Sequence, residues 1–188
     1  MAVAYVYYLG LGSNIKPALH FSTALGKIQA KFGGLMVWPV ITTSPVGIET
    51  PHAFCNTLVV VRSSCSPREL KRWTNAIEEE CGRDRSDPSS PDKDRPLDID
   101  ILAQQSQLDL SILKQFKEPY IQAVVGAGKT HPTPDNLGLS WSLRHVLMVN
   151  GHPLTQCPAT INAKHTAGHI MVIENGVDSL LQRTEPAL

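Results

Sequence analysis

The stretch that decides the fold is residues 94–102, Asp94-Arg95-Pro96-Leu97-Asp98-Ile99-Asp100-Ile101-Leu102. After Pro96, apolar and acidic residues alternate, and a period of two is typical of a β-strand. Asp98 and Asp100 should therefore project from one face, roughly 6–7 Å apart along the strand, while the apolar residues between them face a core. The carboxylates repel each other, so we expect a cation beside them.

This pair of carboxylates suggests a site for a hard divalent cation. Mg²⁺ is usually held by one or two carboxylates together with substrate phosphates, so it is the metal we expect at Asp98 and Asp100. The alternative is an exposed edge strand with a polar face. Carboxylates are unfavourable in strands, which favours the metal site over that alternative.

Length and composition restrict the classes of protein. The 188 residues predict one domain, residues 1–188, and the 17 basic and 17 acidic side chains give a net charge of zero. We therefore expect neither nucleic acid nor an anionic membrane as the main partner. The four cysteines form no Cys-x-x-Cys pair, and no signal peptide or long apolar run is visible. These features predict a cytoplasmic protein with reduced thiols.

The order of the expected elements predicts the fold. Strands are expected at residues 3–11, 35–43, 54–62 and 97–102, with Pro39 marking an edge or bulge in the second. An apolar stripe that includes Phe21 and Ile28 predicts a helix before the second strand, and a capping box at Ser66 and Glu69 predicts another before the last. This order indicates an α/β (α+β) fold, the ferredoxin-like βαββαβ plait, with helices on an antiparallel sheet and carboxyl-terminal additions. Within the additions, residues 139–149 are expected to form a helix.

The third strand carries an unusual polar residue. Phe54 and Asn56 share one face of this strand, and a buried Asn must satisfy both its amide donors and its acceptor. Asn56 is therefore either a structural hydrogen-bonding residue or a reader of a polar ring. The loop before the strand, residues 44–52, contains two prolines and a glycine, and ordered loops of this length are often functional.

Residues 82–94 lack apolar side chains and are predicted to form a mobile loop. Arg83 and Arg85 lie in it and Arg95 follows it, and guanidinium groups match phosphate oxygens in pairs. A solvated loop with balanced charge is the alternative. Arginines next to paired carboxylates favour Mg²⁺-dependent transfer of a phosphorus group to a small planar acceptor.

Five motifs, in their order and spacing, resemble the 6-hydroxymethyl-7,8-dihydropterin pyrophosphokinase family. They are Leu11-Gly12-Ser13-Asn14, Ser44-Pro45-Val46-Gly47, Phe54-x-Asn56, Glu78 with Gly82-Arg83-x-Arg85, and Arg95-Pro96-Leu97-Asp98-Ile99-Asp100-Ile101-Leu102. The resemblance covers about residues 3–102, and the last motif is the most specific.

The resemblance implies an enzyme that moves the β,γ-pyrophosphoryl group of ATP onto the pterin hydroxymethyl oxygen, releasing AMP, in folate biosynthesis. It implies two Mg²⁺ ions on Asp98 and Asp100, with Arg83 and Arg95 at the phosphates, so that these four residues form the catalytic set. The implied nucleotide-binding residues are Glu78, Arg83, Arg85 and Arg95, and the implied pterin-binding residues are Thr43, Val46, Phe54 and Asn56. No protein nucleophile is needed, because such transfer depends on positioning and charge neutralisation.

The chain departs from the family pattern after residue 103. Glu118-Pro119-Tyr120-Ile121 stands where the family usually has Pro-His, no Arg-x-Phe follows, and the arginine loop lacks its usual Trp. Two alternatives therefore stay open, namely a diverged paralogue that binds a pterin or nucleotide without turnover, and a structural or interaction module. We expect a monomer that binds ATP and a small pterin.

Overall fold

The computed structural model describes residues 3–45, 48–89 and 93–127, together with short strands between residues 141 and 174. The strands of the first part are β1 (Tyr5–Ser13), β2 (Gly34–Val37), β3 (Ile41–Thr43), β4 (Phe54–Ser63) and β5 (Asp98–Gln105). The helices are α1 (Pro17–Phe32), α2 (Pro67–Glu80), α3 (Pro119–Ala127) and a short 3₁₀ helix, Leu110–Lys114. The remaining strands are β6 (Trp141–Leu143), β7 (Leu147–Val149), β8 (His152–Leu154), β9 (Ala159–Ala163) and β10 (Ile170–Glu174).

Most of the strands join one antiparallel sheet in the order β10-β9-β2-β4-β1-β5, while β7 and β8 pair separately. The expected strand over residues 35–43 is divided into β2 and β3, and both pair with β4. Pro39 lies at the break because it has no N–H group for the ladder. The neighbouring Trp38 still donates its backbone N–H to the Leu58 carbonyl at 2.9 Å, so the break stays attached to the sheet.

The sheet separates two apolar cores, as alternation along its strands requires. On one face, Leu9 and Leu11 of β1 pack with Phe21 and Ile28 of α1 and with buried residues of α2. The opposite face carries Val6, Tyr8, Leu58 and Val60, covered by α3 and the 3₁₀ helix; these residues form the second core. The prediction that α1 buries the stripe containing Phe21 and Ile28 is confirmed.

The ends of α2 follow the predicted signals. Ser66 accepts from the Glu69 N–H while the Glu69 carboxylate accepts from the Ser66 N–H, which is the expected capping box. After the helix, Gly82 has a φ of 96°, a left-handed conformation that favours glycine. Arg83 follows at once, and its N–H donates to the Glu78 carbonyl at 3.0 Å. The turn therefore brings the arginine loop back towards β5.

The prediction of a helix over residues 139–149 is wrong. Trp141–Leu143 pairs with β3 and Leu147–Val149 pairs with β8, so their backbone groups enter ladders rather than helical turns. No helix in the described part of the chain has the length and apolar character needed to cross a membrane.

Candidate active site

The cleft that contains most of the predicted site residues, though not Glu78, Arg83 or Arg85, is centred on two glycines of β1. Gly12 lies opposite Asn56 of β4 on one side and Asp98 of β5 on the other, and Gly10 lies opposite Asp100. These glycines continue the face that Val6 and Tyr8 fill with side chains further along the strand, so the face becomes hollow at this point. The cavity measures about 130 Å³. Its lining includes Thr43, Ser44, Ile48, Phe54, Asn56, Arg95, Asp98, Asp100 and Tyr120.

The two aspartates of β5 share the cleft face, as the alternation predicts, while Leu97 and Ile99 are buried on the other side. Their surroundings nevertheless differ. The Asp98 side chain is 15% exposed and the Asp100 side chain is 54% exposed. Asp98 is therefore the enclosed member of the pair, and Asp100 opens to solvent.

Cationic side chains of the protein lie beside both carboxylates. Arg83 Nη1 donates to Asp98 Oδ1, and Arg95 Nη1 donates to Asp98 Oδ2 at 2.6 Å. Burial by itself would raise the pKa of the Asp98 carboxyl, but the charges and hydrogen bonds of the two arginines outweigh it and hold that pKa below its usual value. Asp100 has Lys71 Nζ at 3.4 Å. Both carboxylates are thus neutralised internally.

Glu78 lies beneath the carboxylate strand and does not line the cleft. Its side chain is fully buried, and Oε1 accepts from the Ile99 N–H at 2.9 Å. Oε2 accepts from Arg83 Nη1 at 3.0 Å and from Arg85 Nη2. Burial raises the pKa of the Glu78 carboxyl, against the lowering effect of the Ile99 amide and the nearby cations. The arrangement makes Glu78 a support for β5 and for the first residues of the arginine loop.

Lys71 completes this support at the free side of β5. Its Nζ donates to the Ile99 carbonyl at 2.6 Å, so α2 side chains satisfy both backbone polar groups of Ile99. β5 pairs with β1 alone among the described strands. Lys71 and Glu78 therefore take the place of a neighbouring strand between the two aspartates, which fixes where both carboxylates project.

The other end of the cleft is neutral. Asn56 is 5% exposed and its Nδ2 donates to Thr43 Oγ1 at 2.8 Å, while Thr43 lies opposite Phe54 in the β3–β4 ladder. The Arg95 guanidinium carbon lies 6.0 Å from the centre of the Phe54 ring, which is cation–π range. The structure thus brings together three of the four predicted pterin residues. The fourth, Val46, lies outside the described residues.

Ser13 and Asn14 have a role that sequence reasoning missed. Ser13 Oγ donates to the Pro96 carbonyl at 2.6 Å, and Asn14 Oδ1 accepts from the Arg95 N–H at 2.6 Å. The Asn14 N–H donates to the Arg95 carbonyl at 3.1 Å. The sequence signal that could have indicated this role is the pair of polar residues at the end of a buried strand. They hold the end of the arginine loop against β1 rather than reaching into the cleft.

Tyr120 is a further cleft residue that was not predicted. It stands at the start of α3, directly after Pro119, where the first helical turn faces the carboxylates. Burial, followed by the charge of Asp100, raises the pKa of its phenol to about 12. Tyr120 is therefore a neutral hydroxyl at neutral pH. It occupies the sequence position where the resemblance would place a histidine.

The cleft thus joins paired carboxylates and Arg95 to a neutral amide pocket on an antiparallel sheet. The family model of 7,8-dihydro-6-hydroxymethylpterin-pyrophosphokinase (HPPK) matches residues 8–133, and the chain belongs to this family. The predicted family is therefore confirmed.

Curated relatives agree with this assignment, and each is named 2-amino-4-hydroxy-6-hydroxymethyldihydropteridine pyrophosphokinase. The protein of Porphyromonas gingivalis is 39% identical over 99 residues, which is 52% of this chain and 67% of the relative. The Bacillus subtilis protein is 36% identical over 100 residues, 52% of this chain and 58% of the relative. The Aquifex aeolicus protein is 27% identical over 116 residues, 61% of this chain and 71% of the relative.

Proposed function

We propose that this protein transfers the pyrophosphoryl group of ATP to the hydroxymethyl group of 6-hydroxymethyl-7,8-dihydropterin, releasing AMP, in folate biosynthesis. Family membership supports the activity. One observation assigns this activity to particular residues: Asn56, Gly12 and Asp98 lie side by side on three adjacent strands. This row joins an amide pocket to a carboxylate site, with no side chain between them.

The neutral end of the cleft is proposed to bind the pterin. Phe54 offers an aromatic face for stacking, and the Asn56 side chain can both donate to and accept from the amide-like edge of the ring. The Thr43 hydroxyl fixes the orientation of the Asn56 amide at 2.8 Å. Val46 is proposed to complete the pocket on the basis of the family resemblance alone.

The carboxylate end is proposed to bind two Mg²⁺ ions together with ATP. Within the described residues, no cluster of three or more His, Cys, Asp or Glu side chains could hold a metal by itself. Asp98 and Asp100 nevertheless fit Mg²⁺. This ion is usually bound by one or two carboxylates, and water and substrate phosphates supply its remaining ligands. When bound, Mg²⁺ would neutralise the charge that the phosphates carry at the attacking and leaving oxygens.

The arginines are proposed to change partners when ATP binds. Arg83 and Arg95 both bond to Asp98, so if this carboxylate held Mg²⁺ the two guanidinium groups would be available to the phosphates. Arginine matches phosphate oxygens in pairs, and such transfer depends on positioning and charge stabilisation. Arg85 would follow Arg83, and Glu78 would anchor both from below rather than contact the nucleotide directly.

We also propose the topology of the fold, the number of domains, the oligomeric state and the location of the protein. The antiparallel order β2-β4-β1-β5, with α1 and α2 on one face, supports a ferredoxin-like plait with α3 and the later strands as additions. A single domain over residues 1–188, a monomeric state and a cytoplasmic location are proposed from the sequence.

The activity is tested by measuring AMP release from ATP and Mg²⁺ with and without 6-hydroxymethyl-7,8-dihydropterin. We expect release that requires the pterin and that stops when Mg²⁺ is chelated. Pterin-independent release, or none, would contradict the proposal. Calorimetric binding of the pterin without AMP release would instead indicate a diverged paralogue.

A further inference from the structure

A polar chain links the two loops that border the cleft. Asp94 Oδ2 lies 2.5 Å from His52 Nδ1, and Asp94 Oδ1 accepts from Asn14 Nδ2 at 2.6 Å. His52 belongs to the loop between β3 and β4, and its N–H is held by Thr50 Oγ1 at 3.1 Å. Asp94 therefore contacts the end of β1 and the β3–β4 loop at the same time.

We propose that Asp94 is a positioning residue that couples the pterin-side loop to Arg95, with His52 as its partner across the cleft. This inference rests on the proposed function, because it concerns how the two substrate ends of the cleft are held in register. Nothing in the sequence motifs assigns a role to either residue.

Asp94 determines which way the Asn14 amide faces. A carboxylate can only accept when ionised, so it must receive the Nδ2 donor of Asn14. The Asn14 oxygen then points to the Arg95 N–H, which it meets at 2.6 Å. Without Asp94, the Arg95 N–H alone favours this orientation, and the Asn14 Nδ2 donor loses its acceptor. Asp94 and the Arg95 N–H thus fix the orientation of this buried amide together.

Arg95 connects the Asn14 amide to the cleft. Its guanidinium reaches Asp98 Oδ2 at 2.6 Å and lies over the Phe54 ring, so it touches both ends of the site. On the other side of Asp94, the β3–β4 loop supplies Ser44 and Ile48 to the cleft wall. Loss of the Asp94 contacts would therefore let Arg95 and this wall move independently of each other.

The link should affect ligand binding more than stability. The His52 side chain is 59% exposed, and exposed ion pairs contribute little to folding. Asp94 at 27% exposure bonds to Asn14, which is itself only 8% exposed. His52→Ala should therefore leave the thermal midpoint close to that of the wild type while loosening the β3–β4 loop, whereas Asp94→Ala also takes the acceptor from the Asn14 amide and should lower the midpoint.

A ligand-free measurement tests the physical link without depending on the proposed activity. Hydrogen exchange of the amides of residues 48–53 is compared among wild type, Asp94→Ala and His52→Ala. We expect both variants to speed exchange in this segment, and His52→Gln, which can still donate to Asp94, to restore protection. Asp87→Ala is the matched control, because Asp87 lies in the same loop but pairs with Lys93 instead. Unchanged exchange in both variants would overturn the inference.

A binding measurement then tests the positioning role. Calorimetry with the pterin, Mg²⁺ and a non-hydrolysable ATP analogue should show about tenfold weaker pterin binding for Asp94→Ala, the order expected for losing one hydrogen bond to a charged group. The double variant with His52→Ala should be no weaker than Asp94→Ala alone, because both changes break one link. Additive losses would overturn the coupling. Failure of the wild type to bind the pterin would contradict the proposed function, and the exchange result would still decide the link.

Discussion

The two ends of the cleft differ in how their side chains are paired. At the neutral end, the bond between Asn56 and Thr43 leaves the rest of the Asn56 amide directed into the cleft, so the pocket is formed in advance. At the charged end, Asp98 is already occupied by Arg83 and Arg95. Under the proposed function, metal binding at Asp98 would require these ion pairs to be exchanged.

This difference has a physical basis. A neutral amide can be buried at little cost once one hydrogen bond is made, whereas an unpaired carboxylate in the same place would be strongly unfavourable. The charged end therefore pairs with itself in the absence of ligand. We infer that the neutral end determines which acceptor fits, and that the charged end responds to metal and phosphate together.

The largest expected effect is on turnover at the charged end. Asp98→Asn and Asp100→Asn keep the shape of each side chain but remove the charge that Mg²⁺ needs. Each should lower AMP release by at least about 10²–10³, the order for losing one group that stabilises a transition state. Near-normal turnover of either variant at low Mg²⁺ would refute the metal assignment.

The same two variants should differ in stability without metal. Asp98→Asn leaves Arg83 and Arg95 facing an amide and should lower the free energy of unfolding by about 1–3 kcal/mol. Asp100→Asn weakens only the 3.4 Å contact with Lys71, at an exposed side chain, and should change the thermal midpoint little. Equal thermal midpoints for the two variants would show that the pairing of Asp98 with Arg83 and Arg95 does not stabilise the fold.

Glu78→Gln tests the support beneath the charged end. The amide of Gln cannot accept from Arg83 and Arg85 as the carboxylate does, so we expect a loss of about 1–3 kcal/mol in the free energy of unfolding, measured by urea denaturation. Glu80→Gln is the control, because Glu80 is on the same helix but forms an exposed pair with Lys27. Similar losses in both would argue against Glu78 as a support.

Asn56→Ala tests the preformed end. The pterin ring would lose its polar partner, which should weaken pterin binding by about 1–3 kcal/mol in calorimetry. ATP-analogue affinity should stay nearly unchanged, because Asn56 lies across Gly12 from the carboxylates. Thr43→Val should give a smaller loss in the same direction. An equal loss of nucleotide affinity would mean that the two ends are not separate.

Phe54→Leu should have the smallest effect. It keeps an apolar side chain and removes the aromatic face, so pterin affinity should fall by about 0.5–1.5 kcal/mol. The change is measured by the same calorimetry, and turnover at saturating pterin should remain. Unaltered affinity in both Phe54→Leu and Asn56→Ala would place the pterin elsewhere.

The sequence by itself determined the local features of the site. The alternation from Leu97 to Ile101 placed both aspartates on one face because strand geometry turns successive side chains to opposite sides. The same alternation put Phe54 and Asn56 on one face, and the capping box at Ser66 was predictable because it joins residues only three positions apart. These features depend on a few neighbouring residues, so the local sequence pattern was sufficient to predict them.

Tertiary structure decided which groups meet. The bond between Arg95 and Asn14 joins residues 81 positions apart, and no local pattern indicates it. The burial of Glu78, the entry of Tyr120 into the cleft and the strand at Trp141–Leu143 likewise depend on packing and pairing with distant elements. The register of three strands put Asn56, Gly12 and Asp98 in one row, because hydrogen bonding between strands, not the order of residues along any one of them, sets which side chains share a cleft.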